Sequence, residues 1–152
     1  MQRKALSPTV AELLAAARRV VMQTDATAIV MLAEFPYDFE EIRKKLKRVR
    51  LLVASSKPDV QRAATADDIA LVPLLSASET RQVQLSQALL EAIADDLLQP
   101  GDTIVALYSG YERDRIDSIS VINLADHLTR LTSRDLQRLE TKVPLETLRS
   151  VV

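Results

Sequence analysis

The chain has 152 residues, 47% of them apolar and 27% charged, with a net charge of −1. That length supports one domain with a full core, and the near-neutral balance supplies no electrostatic drive toward nucleic acid or an anionic membrane. The absence of cysteine excludes disulfides, thiolate catalysis and cysteine-bound zinc, and two glycines leave no Gly-rich phosphate cradle.

Ser7-Pro8 predicts a helix start, with Ser7 as N-cap and Pro8 at the first helical position. Val10, Leu13, Leu14, Ala17 and Val21 follow at helical spacing as one apolar face. A strand over Thr27 to Leu32 comes next, ended by the turn-prone Phe35-Pro36-Tyr37. Asp38 and Glu41 have capping-box spacing and open a short helix toward Leu46. Arg50 to Ala54 is a second strand, continuously apolar as a doubly covered strand should be. Lys57-Pro58 opens a third helix through Val60, Ala63 and Ala64. Ile69 to Leu75 is a third strand, which Pro73 assigns to an edge or an early end. Ser76 and Glu79 form a capping box for a long helix reaching about Leu98, closed by Pro100-Gly101.

Gln99 to Leu124 holds both glycines of the chain. Gly101-Asp102 opens an apolar strand, Thr103 to Tyr108, and Ser109-Gly110 closes it. A second strand, Ser118 to Leu124, follows after a loop too short for a parallel crossover, so the two strands pair antiparallel. The helices and strands upstream alternate, which calls for a parallel sheet. The expectation is a three-layer α/β/α domain with a mostly parallel five-stranded sheet whose last strand is antiparallel.

Three short amphipathic segments follow: Asp126 to Leu131, Ser133 to Glu140 and Pro144 to Val152. The last carries Leu145, Leu148, Val151 and Val152 as an uncapped apolar stripe. This predicts a piece of a longer protein, with 1–124 as the domain and 125–152 as a helical connector.

Candidate chemistry is sparse. The basic run Arg43 to Arg50 follows Glu40-Glu41 and has no aromatic stacking partners, which favours a solvated helix face over a phosphate or partner patch. His127 is the only histidine and lacks companions for a metal site, so no metal or cofactor is expected. The acidic pairs Glu40-Glu41, Asp67-Asp68 and Asp95-Asp96 read as solvated. Open α/β sheets bind ligands at the carboxyl ends of their strands. There the chain offers Ala33 to Asp38, Ser55-Ser56-Lys57, and Ser109 to Arg115 with Gly110, Tyr111 and Arg113. The second is a potential anion site before a helix N-terminus. Turn and cap chemistry is the simpler account of these residues, and ligand binding the functional one.

The element order, with Thr27-Ala28-Ile29-Val30-Met31-Leu32, Leu51-Leu52-Val53-Ala54-Ser55 and Gly101-Asp102-Thr103-Ile104-Val105 before Ser109-Gly110, resembles the C-terminal domain of pyruvate kinase. The resemblance implies an allosteric domain whose sugar-phosphate effector sits in a Gly- and hydroxyl-rich loop after the first strand. Here that loop is Ala33-Glu34-Phe35-Pro36-Tyr37-Asp38, with carboxylates in place of donors, so that effector is not expected.

Asp117-Ser118-Ile119-Ser120-Val121-Ile122, Leu131-Thr132, Asp135-Leu136-Gln137 and Val143-Pro144-Leu145-Glu146-Thr147-Leu148 resemble the segment before the catalytic domain in bacterial diadenylate cyclases of the DNA-integrity-scanning type. The cyclase family's Asp-Gly-Ala and Arg-His-Arg motifs are absent from these residues. The implied protein condenses ATP into cyclic di-AMP through a domain beyond Val152, and this piece is its sensor. A small-molecule effector and a homo-oligomer are the further partners that this reading expects, with no membrane and no nucleic acid.

Two other readings stand beside it. One is a stand-alone small-molecule-binding domain. The other is a small hydrolase or transferase using Ser55 or Ser109, neither of which has an adjacent base in sequence. No run approaches the ~18 apolar residues of a membrane span and MQRKALSPTV has no signal-like apolar stretch, so a cytoplasmic protein is expected. The 152-residue chain alone should neither hydrolyse ATP nor form cyclic di-AMP. Chromatographic detection of either product with the pure chain would refute that expectation.

Overall fold

A computed structural model describes residues 2–75, 80–112 and 115–130. In chain order the elements are α1 (Pro8–Thr24), β1 (Ala28–Leu32), α2 (Phe39–Leu46), β2 (Leu51–Ser55) and α3 (Pro58–Ala66). They continue with β3 (Ala70–Pro73), α4 (Arg81–Ala94), β4 (Thr103–Tyr108), β5 (Ser118–Asn123) and α5 (Leu124–Arg130). The sheet order is β3-β2-β1-β4-β5. All neighbours are parallel except β4 and β5, whose antiparallel register runs from Thr103 opposite Asn123 to Tyr108 opposite Ser118. The expected three-layer fold and its terminal hairpin are both present. Pro73, which has no N–H to donate, lies on the edge strand β3.

Each face of the sheet has its own core. Ile29, Met31, Val53, Val105 and Leu107 pack with Leu14, Ala17 and Val21 of α1, Phe39, Ile42 and Leu46 of α2, and Val60 and Ala63 of α3. Val30, Leu32, Leu52, Ala54, Ile104 and Ala106 pack on the other face with Ala88, Leu89 and Ala92 of α4 and Leu124 of α5. The β1 and β2 strands are buried at every residue, which explains why their sequences do not alternate.

Local chemistry sets the helix ends. Ser7 Oγ accepts from Val10 N at 3.2 Å and Asp38 Oδ1 from Glu41 N at 3.1 Å, so both expected caps are made. The start of α4 differs from expectation. Its N-cap is Thr80, accepting from Val83 N at 3.2 Å, and the expected capping-box residues 76–79 lie outside the described residues. It also stops at Ala94, short of Leu98, because Asp96 adopts φ 60° and Leu97 N returns to Ala92 O. The exit of α3 repeats that geometry: Asp68 has φ 58° and Ile69 N returns to Ala64 O. In a chain so poor in glycine, aspartate takes the left-handed position that glycine usually fills.

Two of the acidic pairs are therefore helix stops. Solvation, expected for all three pairs, fails at Asp67. Its carboxylate receives Arg3 Nη1 at 2.7 Å and Nη2 at 3.0 Å, then Phe39 N at 3.0 Å and Glu40 N at 3.3 Å at the start of α2. Burial alone would raise its pKa, but the hydrogen bonds and charge of Arg3, with the Glu40 and Phe39 amides, hold it below the ordinary value. Arg3 is 64 positions away in sequence, which is why only the fold reveals the pair. Lys4 N donates to Pro36 O beside it, completing a strap of the N-terminal segment across the loop after β1.

Asp67→Ala should lower the unfolding free energy by about 2 kcal/mol, the scale of lost hydrogen bonds to a charged group. The wild-type contribution is present above the unfolded aspartate pKa of ~3.9 and is lost as pH falls through the lower folded value. Urea titrations at several pH values should therefore show a shallower acid decline in the variant.

Candidate functional site

The chain leaves β1 toward β2 on one side, whereas β4 leads to β5 on the other. Such a reversal opens a crevice outside the carboxyl ends of the two central strands. Residues 33–38 follow β1, and residues 109–117 follow β4. The tip of β2 and the first turn of α4 border the same region.

Glu34 is the centre of this crevice. Its carboxylate lies 3.3 Å from Lys57 Nζ and 3.3 Å from Arg81 Nη2, and Lys57 Nζ also donates to Glu34 O at 3.2 Å. Arg81 spans the reversal, donating from Nε to Ser109 O at 3.1 Å. Phe35 stacks under two ammonium groups, Lys4 at 4.4 Å and Lys57 at 5.6 Å from the ring centre. The two cations that face the crevice are thus already neutralised by a carboxylate of the chain itself.

The loop after β4 is organised in the same manner. Asp117 Oδ1 accepts from Gly110 N at 2.7 Å and from Ser118 Oγ at 2.7 Å. Its Oδ2 accepts from Tyr111 N at 3.1 Å and Glu112 N at 3.0 Å. Burial opposes ionisation, but the Ser118 hydroxyl and the Gly110, Glu112 and Tyr111 amides lower the Asp117 pKa to about 2. Gly110 is closely packed, since a Cβ there would stand 2.3 Å from Ser118 Oγ and displace the hydroxyl that donates to Asp117.

The candidate residues read from sequence separate into distinct settings. Ser55 is buried, its Oγ accepting from Lys57 N at 3.1 Å and its carbonyl from Gln61 Nε2 at 2.9 Å. Ser56 is half-buried, Tyr111 is 95% exposed, and Arg113 lies outside the described residues. Ser109 is buried and its Oγ has no hydrogen-bond partner. With β1 between β2 and β4, Ser55 and Ser109 are about 10 Å apart, two strand spacings. They cannot serve one nucleophilic centre.

Sequence reading missed Arg81, because a helix started at Ser76 puts it in the second turn, not at the first helical position. It also missed a contact of His127, whose Nε2 lies 3.2 Å from Ser86 Oγ. Ser86 belongs to α4 and His127 to α5, so this bond ties the last described helix to the helix that begins at the crevice. Spacing in the sequence carries no signal for either contact. Among the described residues no group of acidic or histidine side chains could hold a metal ion, and no helix is long and apolar enough to cross a membrane.

The architecture is that of an α/β domain of the pyruvate kinase C-terminal type. A crystal structure of Cryptosporidium parvum pyruvate kinase superposes with a TM-score of 0.62 at 16% identity, over 78% of this chain and 23% of that one. A second pyruvate kinase structure from the same organism gives 0.61 at 19% identity, over 76% and 23%. The chain therefore spans less than a quarter of those enzymes, and the likeness is one of fold. A family model described as "Probable sensor domain DacZ_P" matches residues 9–132. The chain belongs to this DacZ_P family of sensor domains. No curated protein sequence matches it significantly.

Asp117→Ala should release the loop after β4, seen as faster amide exchange at Gly110, Tyr111 and Glu112. In the wild type the same release should come with acid. The carboxylate holds the loop above pH ~3.9 and lets go as pH falls toward its folded value of about 2. Exchange corrected for intrinsic rates should rise over that interval in the wild type and stay flat in the variant.

Proposed function

We propose that this domain is the sensor half of a cytoplasmic diadenylate cyclase, with a small-molecule effector bound at the strand-tip crevice. The cyclase domain, following Val152, joins two ATP molecules: each 3′-hydroxyl attacks the α-phosphorus of the other nucleotide and two pyrophosphates leave. Residues 125–152 form the connector. Membership of a sensor family supports the regulatory role, and the sequence resemblance of the tail supports the cyclase.

One observation carries the mechanism. Arg81, the first residue of α4, is bonded to both sides of the crevice through Glu34 and Ser109. Five residues along the same helix, Ser86 meets His127 of α5. A ligand that takes Glu34 from Arg81, or engages the unpartnered Ser109 Oγ, changes the forces on α4 and through it on the connector. Ser55, Ser56, Lys57, Ser109, Gly110 and Tyr111 border the proposed binding region, to which the sequence adds Arg113. A neutral or cationic effector suits the crevice as it stands, because Glu34 must move before an anion can reach Lys57 and Arg81.

Self-association fits the same scheme, because the product of the cyclase is two-fold symmetric. The outer strand β5 is uncharged from Ser118 to Asn123 and its Val121 is 52% exposed. Leu124 N donates to Asp102 O, so by antiparallel alternation Ile119, Val121 and Asn123 turn their backbone groups away from β4. An edge without Lys, Pro or a bulge invites pairing, and a second copy centred on Val121 would satisfy it without opposing charges.

The test is cyclic di-AMP synthesis by the full-length protein. Arg81→Gln and His127→Ala should each alter the basal rate and should do so non-additively, as coupled residues do. Additive or absent effects would overturn transmission through α4. A full-length protein unable to make cyclic di-AMP would overturn the cyclase assignment and leave the stand-alone binding domain in its place.

A further inference from the structure

A second concavity, rimmed by basic side chains, lies away from the strand tips, between the C-terminal half of α1 and the end of α2. Ala15, Arg18, Arg19 and Met22 recur at helical spacing along one stripe of α1, and Lys45 and Lys47 face them. These six residues line a shallow groove of about 320 Å³ that is open to solvent. Four of the six are cationic and none is acidic. Among the described residues none of the four forms an ion pair with a carboxylate, in contrast to Arg3, Arg43, Lys57, Arg81 and Arg115. Arg18 Nε is shielded from water and has no hydrogen-bond partner.

Cations near the C-terminal end of α2 are favoured by its helix dipole, which accounts for Lys45. It does not account for two arginines brought in from α1, nor for the backbone at Lys47. That residue has φ 58° and ψ −116°, a conformation in which glycine is far cheaper than any side-chain-bearing residue. Four like charges gathered around one groove with no carboxylate partner disfavour the empty state.

We propose that the α1–α2 groove is an anion site for a small polyphosphate, with Arg18 and Arg19 as planar donors and Lys45 and Lys47 as point charges. The volume suits a small ligand, and guanidinium groups match phosphate oxygens in pairs. The lining holds no aromatic side chain to stack on a base, so recognition rests on the phosphates. A free polyphosphate and the triphosphate of a nucleotide should therefore bind alike. This site is independent of the strand-tip crevice and of any downstream domain.

Calorimetric titration of the full chain with tripolyphosphate and with ATP, beside amide chemical-shift mapping, tests it. Saturable binding of both at similar affinity is expected, weakening with added salt and shifting residues 15–22 and 44–48. Arg18→Gln and the exposed Arg19→Gln should each weaken binding roughly tenfold, the cost of one charge-assisted hydrogen bond. Lys47→Gly should raise the thermal midpoint of the free protein yet weaken tripolyphosphate binding, a divergence that a purely structural lysine would not produce. The proposal fails if neither compound saturates, if these variants bind as the wild type does, or if the shifts fall at Glu34, Lys57 and Arg81. Binding of ATP without binding of tripolyphosphate would also overturn it.

Discussion

A parallel sheet has to be covered on both faces, and the rest of this structure follows from how that cover is laid down. Three helices, α1, α2 and α3, occupy one face, and α4 must cross to the other before β4 can enter the sheet beside β1. That crossing opens the crevice between the ends of β1 and β4. It also puts the first turn of α4 directly over the crevice, where Arg81 reaches Glu34 and the Ser109 carbonyl. The same helix runs down the sheet to meet α5. The crevice and the bonded path from its edge to α5 thus arise from one topological constraint.

The chain supplies its own anions at three positions that would otherwise attract them. Glu34 lies between Lys57 and Arg81, Asp117 sits among three loop amides, and Asp67 caps α2 while pairing with Arg3. Each contact is local electrostatics of ordinary strength, and together they hold the loops around the strand tips in one arrangement. A crevice whose cations are occupied by an internal carboxylate differs from an open phosphate site, because any anionic ligand has to compete with Glu34. The α1–α2 groove has no internal carboxylate of this kind among its lining residues.

Where the reading from sequence and the structure diverge, the cause lies in residues with two possible roles. Asp67-Asp68 and Asp95-Asp96 look like solvated acidic pairs, yet Asp68 and Asp96 end helices in the left-handed conformation. Ser76 and Glu79 have ideal capping-box spacing, but Thr80 caps α4. The basic run from Arg43 to Arg50 looks like one solvated face. In the fold Arg43 pairs with Glu40, Arg50 reaches the Leu97 carbonyl, and Lys45 and Lys47 turn to α1.

The elements, the parallel core and the antiparallel last strand were legible in the chain alone, because burial pattern, caps and connection length act over a few residues. A short continuous apolar run such as Leu51 to Ala54 fits a doubly covered strand, and the loop after Tyr108 is too short for a parallel crossover. Ser55, Lys57, Ser109 and Gly110 could be placed at strand tips for the same reason. Which groups meet there was decided by the tertiary structure alone. Arg3 with Asp67, Glu34 with Arg81, and Ser86 with His127 are each joined across long stretches of chain. Charge and hydrogen-bond pairing depend on distance in space, and that distance is set only when both faces of the sheet have been packed.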